Sequence, residues 1–302
     1  MPEPSAQSPV DDRAAQRRRQ RLAQLDTPPW LHQETARRMA ERLALVRERA
    51  PQWLDWQGGV SGSAEAVQAV WPQARRDLVE PDEASVRRSR QALQRPWWSL
   101  KRLAAGQASQ VHGEDELPPQ QARMLWANLV LQASADVPAL LAQWHRALAV
   151  GGFVMFSTLG PDTWRELRSV YAANGWPLPH APFTDMHDIG DALVQAGFAD
   201  PVMDQELLTL TWSSPEALLA ELHGLGGNLA RQRFAGLRTP RWRERLKSAL
   251  AERAGADGRI AMSVELVYGH AFKAAPRAAR GEIATVSLDS LRSSLPQRPP
   301  RR

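Results

Sequence analysis

Short apolar runs alternate with amphipathic stretches along most of this chain, and the alternation predicts strands separated by helices. The runs typical of strands lie at 52–56, 76–80, near 110–111, 123–127, 153–158, 202–211 and 260–273. The stretches with helical spacing lie at about 31–49, 64–71, 83–94, 136–149, 162–174, 185–196, from Ser214-Pro215 onwards, and 241–254. Strands and helices in alternation give parallel strands joined by right-handed crossovers, so we expect a doubly wound α/β sheet.

The stretch 151–168, GGFVMFSTLGPDTWRELR, carries the clearest single pattern. Two glycines supply a turn, an apolar run of strand length follows, and Leu-Gly-Pro breaks the run before Asp162, a good helix-capping residue. Ser157 and Thr158 then form a polar tip at the carboxyl end of a strand. Open α/β sheets bind their ligands at that edge, so the stretch indicates a binding site there.

The composition is that of a globular protein. The 302 residues, 43% of them hydrophobic, can supply the core of one large domain. No apolar window approaches the roughly 18 residues of a membrane-spanning helix, and the N-terminal arginines precede no apolar stretch of signal-peptide type. Cysteine is absent, which excludes disulfides and cysteine-ligated metal sites. We therefore expect a soluble, cytoplasmic protein.

The net charge of +5 resides in the two ends of the chain. Residues 1–25 carry five arginines against three acids, and residues 274–302 carry six arginines against two acids. We expect both ends to be disordered basic tails, which leaves 26–273 as the folded domain. A nucleic-acid-binding protein more often carries a basic face on its folded domain together with recognisable motifs, so nucleic acid is not the expected partner.

The first two predicted strands carry acids in positions suited to a nucleoside. Asp55 lies near the end of the first strand, ahead of the loop GGVSGS, and Glu80 ends the second strand. In a doubly wound fold, an acid at the tip of the second strand accepts hydrogen bonds from ribose hydroxyls, and glycines let the backbone approach the ligand. On spacing alone two other interpretations stay open: Asp55 as a turn former, and Glu80 as a solvated charge.

Longer blocks of the sequence resemble one family. They are MLWANLVLQ at 124–132, LAVGG at 148–152, FSTLGPDTWRELR at 156–168, FTDMHDIGDALVQAGFADPVMDQE at 183–206 and VELVYGHAFK at 264–273. Together they resemble the class I S-adenosylmethionine-dependent methyltransferases and, more narrowly, the malonyl-[acyl-carrier protein] O-methyltransferases of biotin biosynthesis. The resemblance implies a Rossmann-like seven-stranded sheet with an antiparallel last strand and a helical insertion at about 212–255.

The resemblance also implies an activity. Methyl would pass from S-adenosylmethionine, the cofactor, to the free carboxylate of a malonyl thioester on acyl-carrier protein, the partner. A carboxylate is already a nucleophile at neutral pH and a sulfonium is an activated donor, so alignment and exclusion of water can supply most of the rate, and we assign no catalytic acid or base. The implied cofactor contacts are Asp55, Gly58, Gly59, Ser61, Glu80, Glu114 and Asn128, with Asp115 as the alternative to Glu114.

The glycine loop departs from the family pattern G-x-G-x-G. In register, its three glycine positions are Gln57, Gly59 and Ser61, while Gly58 and Gly62 lie beside them. If the loop keeps the family course, Gln57 occupies a tight turn against the cofactor, and a positive φ there adds strain of about 1 kcal/mol or more. The departure supports a second hypothesis, a binding protein that keeps the fold but has lost cofactor affinity and turnover.

The resemblance places three residues on the substrate side: His180 in a Pro-rich loop, and His223 and Asn228 in the turn HGLGGN. The alternatives are an exposed loop histidine and a plain glycine-rich helix end. The substrate-side residues differ from the family pattern, and this difference supports a third hypothesis, a methyltransferase for another small carboxylate. His180, His187 and Asp185 lack a convincing metal-ligand spacing, so we expect no metal.

A basic run provides a candidate docking surface for an acidic carrier protein. It comprises Arg231, Arg233, Arg238, Arg241, Arg243, Arg245 and Lys247. A solvated basic face is the alternative interpretation, because charge runs commonly do no more than face water.

Overall fold

The computed structural model describes residues 8–94 and 109–275. Its strands form one seven-stranded sheet in the order β3-β2-β1-β4-β5-β7-β6. The strands are β1 Gln52–Trp56, β2 Arg75–Glu80, β3 Val111–Gly113, β4 Ala122–Asn128, β5 Leu148–Leu159, β6 Ala199–Trp212 and β7 Ile260–Phe272. The first five pair in parallel, whereas β7 is antiparallel to both β5 and β6. This arrangement confirms the predicted doubly wound, Rossmann-like sheet with an antiparallel last strand.

Helices cover both faces of the sheet. They are α1 Asp12–Leu22, α2 Trp30–Leu43, α3 Ala64–Val70, α4 Glu83–Leu93, α5 Val137–Ala147, α6 Arg165–Ala173, α7 Met186–Gln195, α8 Pro215–Gly224 and α9 Pro240–Ala251. Several begin where the sequence indicates, because Asp82, Asp136 and Ser214 each accept a hydrogen bond from the N–H three residues further on. Within the described ranges, no helix is long and apolar enough to cross a membrane.

The alternation of side chains along β1 divides the core between the two faces of the sheet. Leu54 and Trp56 pack in the cluster that contains Trp144 of α5, whereas Trp53 packs in the cluster that contains Met39 of α2. Successive side chains of a strand point to opposite faces, so Asp55 lies on the same face as Trp53. The acid that we predicted for the ligand site therefore lies under the α2 side of the sheet edge.

The N-terminal region corrects one expectation. We expected 1–25 to be a disordered tail, but Asp12–Leu22 forms a helix that packs against the domain. The side chain of Asp11 caps this helix by accepting an N–H bond in its first turn. Val10 pairs with Ala230 in an isolated bridge. The residues before α1 are therefore tied to the turn that follows α8.

The buried face of α1 explains why the hydrophobic pattern failed to predict the helix. Ala14, Arg18 and Leu22 are spaced four residues apart, so they share one face, and all three are buried. An arginine in the middle of an apolar stripe interrupts the hydrophobic period that indicates a packed helix. The rest of the two expected tails, 1–7 and 276–302, lies outside the described residues.

Two helices lie between β6 and β7 and form the expected insertion. Leu218 of α8 and Leu246 of α9 pack with Leu167 of α6 in one buried cluster. The α6 helix begins three residues later than expected, because Thr163 is bonded to the backbone of Glu265 on β7 and does not cap it. The insertion and α6 thereby enclose a groove beyond the end of β5.

Candidate active site

Left-handed backbone is concentrated at the carboxyl edge of the sheet. Gln57 directly follows β1 with a φ of 55°, Leu129 directly follows β4 with a φ of 53°, and Trp164 lies after β5 with a φ of 51°. Residues with a Cβ adopt this conformation at a cost of roughly 1–2 kcal/mol, and such strain clusters at functional sites. The strain that we predicted at Gln57 is therefore present, and the segments after β4 and β5 carry it as well.

Asp55 holds the loop that follows β1. Its Oδ2 accepts hydrogen bonds from Nε of Arg76 at 2.8 Å and from Oγ of Ser61 at 3.1 Å. Arg76 also donates to the carbonyl of Gly58 at 2.7 Å. A Cβ on Gly58 would lie 3.0 Å from the Asp55 side chain, so the glycine permits this close approach. Burial raises the pKa of Asp55, and the Arg76 charge opposes that rise.

The Ser61 side chain braces this loop from inside. Its hydroxyl bonds Asp55 and the carbonyl of Gly58, so a contact of Ser61 with the cofactor stays a prediction. Ser61 is 1% exposed. A serine at a position that is glycine in the family pattern therefore serves as an internal brace of the loop.

Glu80 and Gly59 come together as predicted. Oε1 of Glu80 accepts the N–H of Gly59 at 2.8 Å and the hydroxyl of Ser89 at 2.7 Å. Oε2 makes no hydrogen bond with the described part of the chain, and Glu80 lines a cavity of about 360 Å³ that Gln57 also lines. Burial raises the pKa of Glu80 to about 7. The second strand thus ends in an acceptor that is free to bind a ligand.

Glu114 lies against the same loop. Its backbone N–H donates to the carbonyl of Glu80 at 2.9 Å, and its carboxylate accepts a bond of 3.4 Å from Gln57. Glu114 and Asp115 both line a cavity of about 390 Å³ on the far side of Glu80. Burial raises the pKa of Glu114. Of the two acids that we proposed after β3, Glu114 is the one in contact with the glycine loop.

The amide of Asn128 is engaged inside the protein. We expected Asn128 to line the ligand site, and that contact stays a prediction. Nδ2 donates to the carbonyls of His32 at 2.8 Å and Ser61 at 2.7 Å, and Oδ1 accepts from the Ser157 hydroxyl at 2.7 Å. The residue is 2% exposed. Asn128 is therefore a positioning residue that ties the glycine loop to α2 and β5.

His180 is buried at the mouth of the groove beside the insertion. Its Nδ1 lies 2.7 Å from the carbonyl of Ala181, and because a carbonyl only accepts, Nδ1 carries the proton. Nε2 is then a bare acceptor, and it is buried without a partner among the described residues. The ring stacks on Phe183 at 4.8 Å between centroids and meets Trp164 edge-on. Burial lowers the pKa of His180 to about 4, so the ring is neutral at pH 7.

The three predicted substrate-side residues line one groove. His180, His223 and Asn228 all border an open groove of about 870 Å³ beneath α8 and α9. His223 is exposed at the end of α8. Asn228 donates to the carbonyl of Leu178 at 2.6 Å and accepts from the N–H of Ala230 at 2.7 Å, so its side chain also shapes the turn. Whether the three residues contact a substrate stays a prediction.

Arg18 is the residue of this region that the sequence pattern did not predict. It lines a small enclosed cavity of about 50 Å³ next to the groove, together with His32 of α2 and Gln132 after β4. The signal that indicates its position is the four-residue spacing of Ala14, Arg18 and Leu22, which places a charge on the apolar face of α1.

The basic run separates into two groups. Arg231 and Arg233 bind the segment before α1, through the carbonyl of Ser8 at 3.0 Å and the carboxylate of Asp11 at 3.3 Å. Lys247 is paired with two glutamates. Four arginines of this run make no bridge to a carboxylate among the described residues: Arg238, Arg241, Arg243 and Arg245. Only this second group has charge available for a partner.

Comparison with known proteins agrees with the fold and identifies relatives. No protein-family model matches the chain. A solved structure, the YcgJ protein from Bacillus subtilis, superposes with a TM-score of 0.50 at 11% identity, covering 80% of this chain and 99% of that one, so it shows the fold alone.

Curated relatives match at much higher identity. The chain is 38% identical over 263 residues to the malonyl-[acyl-carrier protein] O-methyltransferase of Laribacter hongkongensis, which covers 85% of this chain and 88% of the relative. It is 35% identical over 283 residues to the protein of the same name from Gallionella capsiferriformans, covering 92% and 96%. Similarity of this extent spans the sheet, the glycine loop and the insertion alike. The chain therefore belongs to the malonyl-[acyl-carrier protein] O-methyltransferase family.

Proposed function

We propose that this protein transfers the methyl group of S-adenosylmethionine to the free carboxylate of malonyl-[acyl-carrier protein]. The observation that carries the proposal is Glu80, which lines the cavity at the tip of β2 in a chain of this family and whose Oε2 has no hydrogen-bond partner in the described part of the chain. A carboxylate at that position accepts hydrogen bonds from the two hydroxyls of a ribose.

The residues around Glu80 fit such a cofactor. A Cβ on Gly59 would lie 2.9 Å from Oε1 of Glu80, so the backbone passes close against the carboxylate, and a larger residue would require the Glu80 side chain to shift. Gln57 and Gly59 border the cavity on the side of β1, and Glu114 lies beyond Glu80 on the side of β3. We infer that Glu80 binds the ribose, the loop 57–60 the amino-acid part, and Glu114 the base. When bound, S-adenosylmethionine supplies an electrophilic methyl group on a positively charged sulfur.

The acceptor side needs no proton transfer. A carboxylate is ionised at pH 7 and attacks as it stands, so the protein has to align it with the methyl group and exclude water. His180, which lines both the small cavity and the groove, has its pKa lowered to about 4 and is therefore neutral. We propose that the groove admits the thioester and that the enclosed cavity receives its carboxyl end.

We also propose the place of this reaction in biotin biosynthesis. Methylation converts a charged malonyl end into a neutral ester, which chain-elongating enzymes with apolar acyl sites accept more readily, since burying an unpaired charge is unfavourable. The family name supports the malonyl substrate, and the pathway follows from what an esterified malonyl thioester allows.

The carrier protein is proposed to dock beside the groove. Arg238 and Arg243 line the groove itself, and Arg241 and Arg245 are exposed on the same helix region. Acidic partners are steered to clusters of this kind, and the attraction weakens as salt screens it. Arg231, Arg233 and Lys247, which we had included in the docking surface, are excluded from it because they bind other parts of this chain.

The decisive experiment follows labelled methyl groups. The protein is incubated with S-adenosylmethionine carrying a tritiated methyl group and with malonyl-[acyl-carrier protein], with acetyl-[acyl-carrier protein] as the matched acceptor lacking a carboxylate. We expect label on the malonyl carrier alone, in a form that mild alkali releases as methanol. Folded protein that binds the cofactor yet labels neither carrier contradicts the proposed substrate, and a screen of other small carboxylates then tests the third hypothesis.

One observation favours the alternative of a binding protein without turnover. Gln57 adopts the left-handed conformation at a position that is glycine in the family pattern. Calorimetry with S-adenosylhomocysteine separates the two hypotheses, because a binding constant in the micromolar range rules out loss of the cofactor site. Absence of binding by folded protein supports the alternative.

A further inference from the structure

Arg18 is a buried cation without a counter-ion in the described part of the chain. It is 7% exposed. Its guanidinium donates to the carbonyl of Leu225 at 3.1 Å and to Nε2 of His32 at 3.3 Å, and it makes no bridge to a carboxylate among the described residues. Burial lowers the pKa of Arg18 to about 10, so it still carries its charge at pH 7. A buried charge is unfavourable unless an anion accompanies it.

The surrounding loop is shaped around this side chain. Gly226 has a φ of 108°, and a Cβ built on it would overlap Cγ of Arg18. Any residue other than glycine would therefore displace the arginine stem and would also be strained at that φ. The bond from Arg18 to the carbonyl of Leu225 fixes the guanidinium against the same turn. The turn HGLGGN thus accommodates Arg18 specifically.

Arg18 lines a cavity of matching size. The cavity of about 50 Å³ has apolar walls from Leu129, Leu159 and Phe183. One water molecule needs on the order of 10–15 Å³ of cavity volume, so this cavity holds about four non-hydrogen atoms. A carboxylate with its adjoining methylene has that number. The cavity lies past the ends of β4 and β5, and it shares Trp164 and His180 with the groove.

Arg18 supplies the charge of this cavity. Two histidines also line it, and burial lowers the pKa of His32 to about 3 and that of His180 to about 4, so both are neutral at pH 7. No acidic residue is among the described residues that line it. Arg18 is therefore the one charged residue among the described residues that line the cavity.

We propose that Arg18 binds the methyl-accepting carboxylate, an inference that rests on the proposed function and assigns the residue that recognises the substrate's charged end. A guanidinium holds a carboxylate by charge-assisted hydrogen bonds and leaves one oxygen lone pair directed away from it. During transfer the carboxylate oxygen forms a bond to the methyl carbon as the bond from that carbon to sulfur breaks, and the sulfur keeps the electron pair. The product is a neutral ester, which no longer balances the charge of Arg18.

In this role Arg18 selects the malonyl thioester as substrate and favours release of the methylated product. An acetyl thioester brings no anion to Arg18, so it leaves the buried charge unpaired and binds weakly. The methyl ester loses the same interaction as soon as it forms, which favours its departure. A purely structural role for Arg18, as an anchor of α1 through Leu225, predicts neither effect.

The test compares Arg18→Met with Arg17→Met, which removes the same charge from an exposed position on the same helix. We expect kcat/KM for malonyl-[acyl-carrier protein] to fall about 30-fold or more in Arg18→Met, while the affinity for S-adenosylhomocysteine changes less than about twofold in both variants. Unchanged kcat/KM in Arg18→Met overturns the proposal.

A second measurement is independent of methyl transfer. Malonate should raise the thermal midpoint of the wild-type protein saturated with S-adenosylhomocysteine, and dimethyl malonate at equal ionic strength should not. Arg18→Met should lose the malonate response, and Arg17→Met should keep it. If the wild-type protein methylates no malonyl carrier, the proposed function fails, and this measurement still decides whether Arg18 binds a carboxylate. An equal malonate response in Arg18→Met overturns the proposal.

If Arg18→Met does not fold, Arg18→Lys decides the question. Lysine keeps the charge but loses the planar fork. We expect its KM for the malonyl carrier to rise about tenfold at unchanged affinity for S-adenosylhomocysteine. An unchanged KM overturns the proposal.

Discussion

The backbone N–H of Gly59 donates a 2.8 Å hydrogen bond to Oε1 of Glu80. This bond joins the loop after β1 to the tip of β2, and the other carboxylate oxygen has no hydrogen-bond partner in the described part of the chain. Because Ser89 of α4 donates to the same Oε1, the carboxylate is held in place by two partners before any ligand arrives. A carboxylate fixed in this way loses little conformational freedom when it binds a ribose.

Replacing Glu80 should therefore weaken cofactor binding. In Glu80→Gln the acceptor for the second ribose hydroxyl becomes an amide, and we expect the dissociation constant of S-adenosylhomocysteine to rise about tenfold or more at pH 8. Calorimetry measures this directly. The matched control is Glu65→Gln, an exposed acid on α3, which should leave the constant unchanged. Equal affinities of Glu80→Gln and wild type would contradict the ribose assignment.

The pKa of Glu80 predicts a pH dependence. Burial raises it to about 7, with Asp55 raising it and Arg76 lowering it, while Arg19 and Arg88 line the same cavity. If the ionised form binds, the affinity for S-adenosylhomocysteine should increase about tenfold from pH 6 to pH 8 and then level off. Glu80→Gln should flatten this profile. A profile that is flat in the wild type would show that Glu80 does not titrate in this range.

The raised pKa of Glu80 also makes the stability of the fold depend on pH. Stability should fall as the pH rises, whereas the affinity for the cofactor should increase. Because the pKa of Glu80 is higher in the folded than in the unfolded chain, the folded state binds more protons between about pH 4.5 and pH 7. The stabilisation from this group is present below that window and is lost as the pH rises through it. Urea unfolding of wild type and Glu80→Gln at pH 5 and pH 8 should show the wild type losing more stability over this interval.

Replacing Gln57, which has left-handed backbone, by glycine should stabilise the protein. Gln57→Gly removes the strain at φ 55°, and we expect the free energy of unfolding to rise by about 1 kcal/mol. Gln120→Gly is the matched control, because Gln120 is exposed and has a φ of 58° in a turn away from the ligand edge. Both variants should gain stability, and only Gln57→Gly should alter the affinity for S-adenosylhomocysteine, by making it tighter. Weaker binding by Gln57→Gly would show that the glutamine side chain itself contacts the cofactor.

Truncation of Asn128 should destabilise the whole ligand edge. Asn128→Ala leaves two carbonyls and the Ser157 hydroxyl without their partner, and we expect a loss of about 3 kcal/mol in the free energy of unfolding. Asn174→Ala removes a single bond, to the carbonyl of Val170, and should lose about 1 kcal/mol or less. Urea unfolding measures both. Similar small losses in the two variants would show that the three bonds are not simultaneously formed.

Charge reversal should identify the carrier surface. We expect the double variant Arg241→Glu and Arg243→Glu to raise the KM for malonyl-[acyl-carrier protein] about tenfold at low salt, with kcat unchanged. Arg47→Glu, an exposed arginine after α2, serves as the control. A malonyl thioester of a small thiol should show no change in KM. If its KM rises as well, the two arginines act on the substrate and do not dock the carrier.

The parts of the fold that follow from local periodicity were predictable. The expected limits of β1 coincide with the observed Gln52–Trp56, and Glu80 ends β2 as predicted. Strand length and the alternation of apolar and polar positions depend on residues that are close in sequence, so a sequence pattern can predict them. The internal hydrogen bonds of Asn128 could not be predicted, since its three partners are contributed by α2, the glycine loop and β5, which are distant in sequence. The left-handed conformations of Leu129 and Trp164 have no sequence signal, because residues of these types rarely adopt them.

The helix α1 forms a wall of both cavities. Arg18 borders the acceptor cavity and Arg19, the next residue, borders the cavity next to Glu80. Consecutive residues of one helix move together, so the helix cannot withdraw from one cavity and remain in place at the other. The cavities that we propose for the methyl donor and the methyl acceptor therefore share one cover, and a displacement of α1 would expose both cavities to solvent at once.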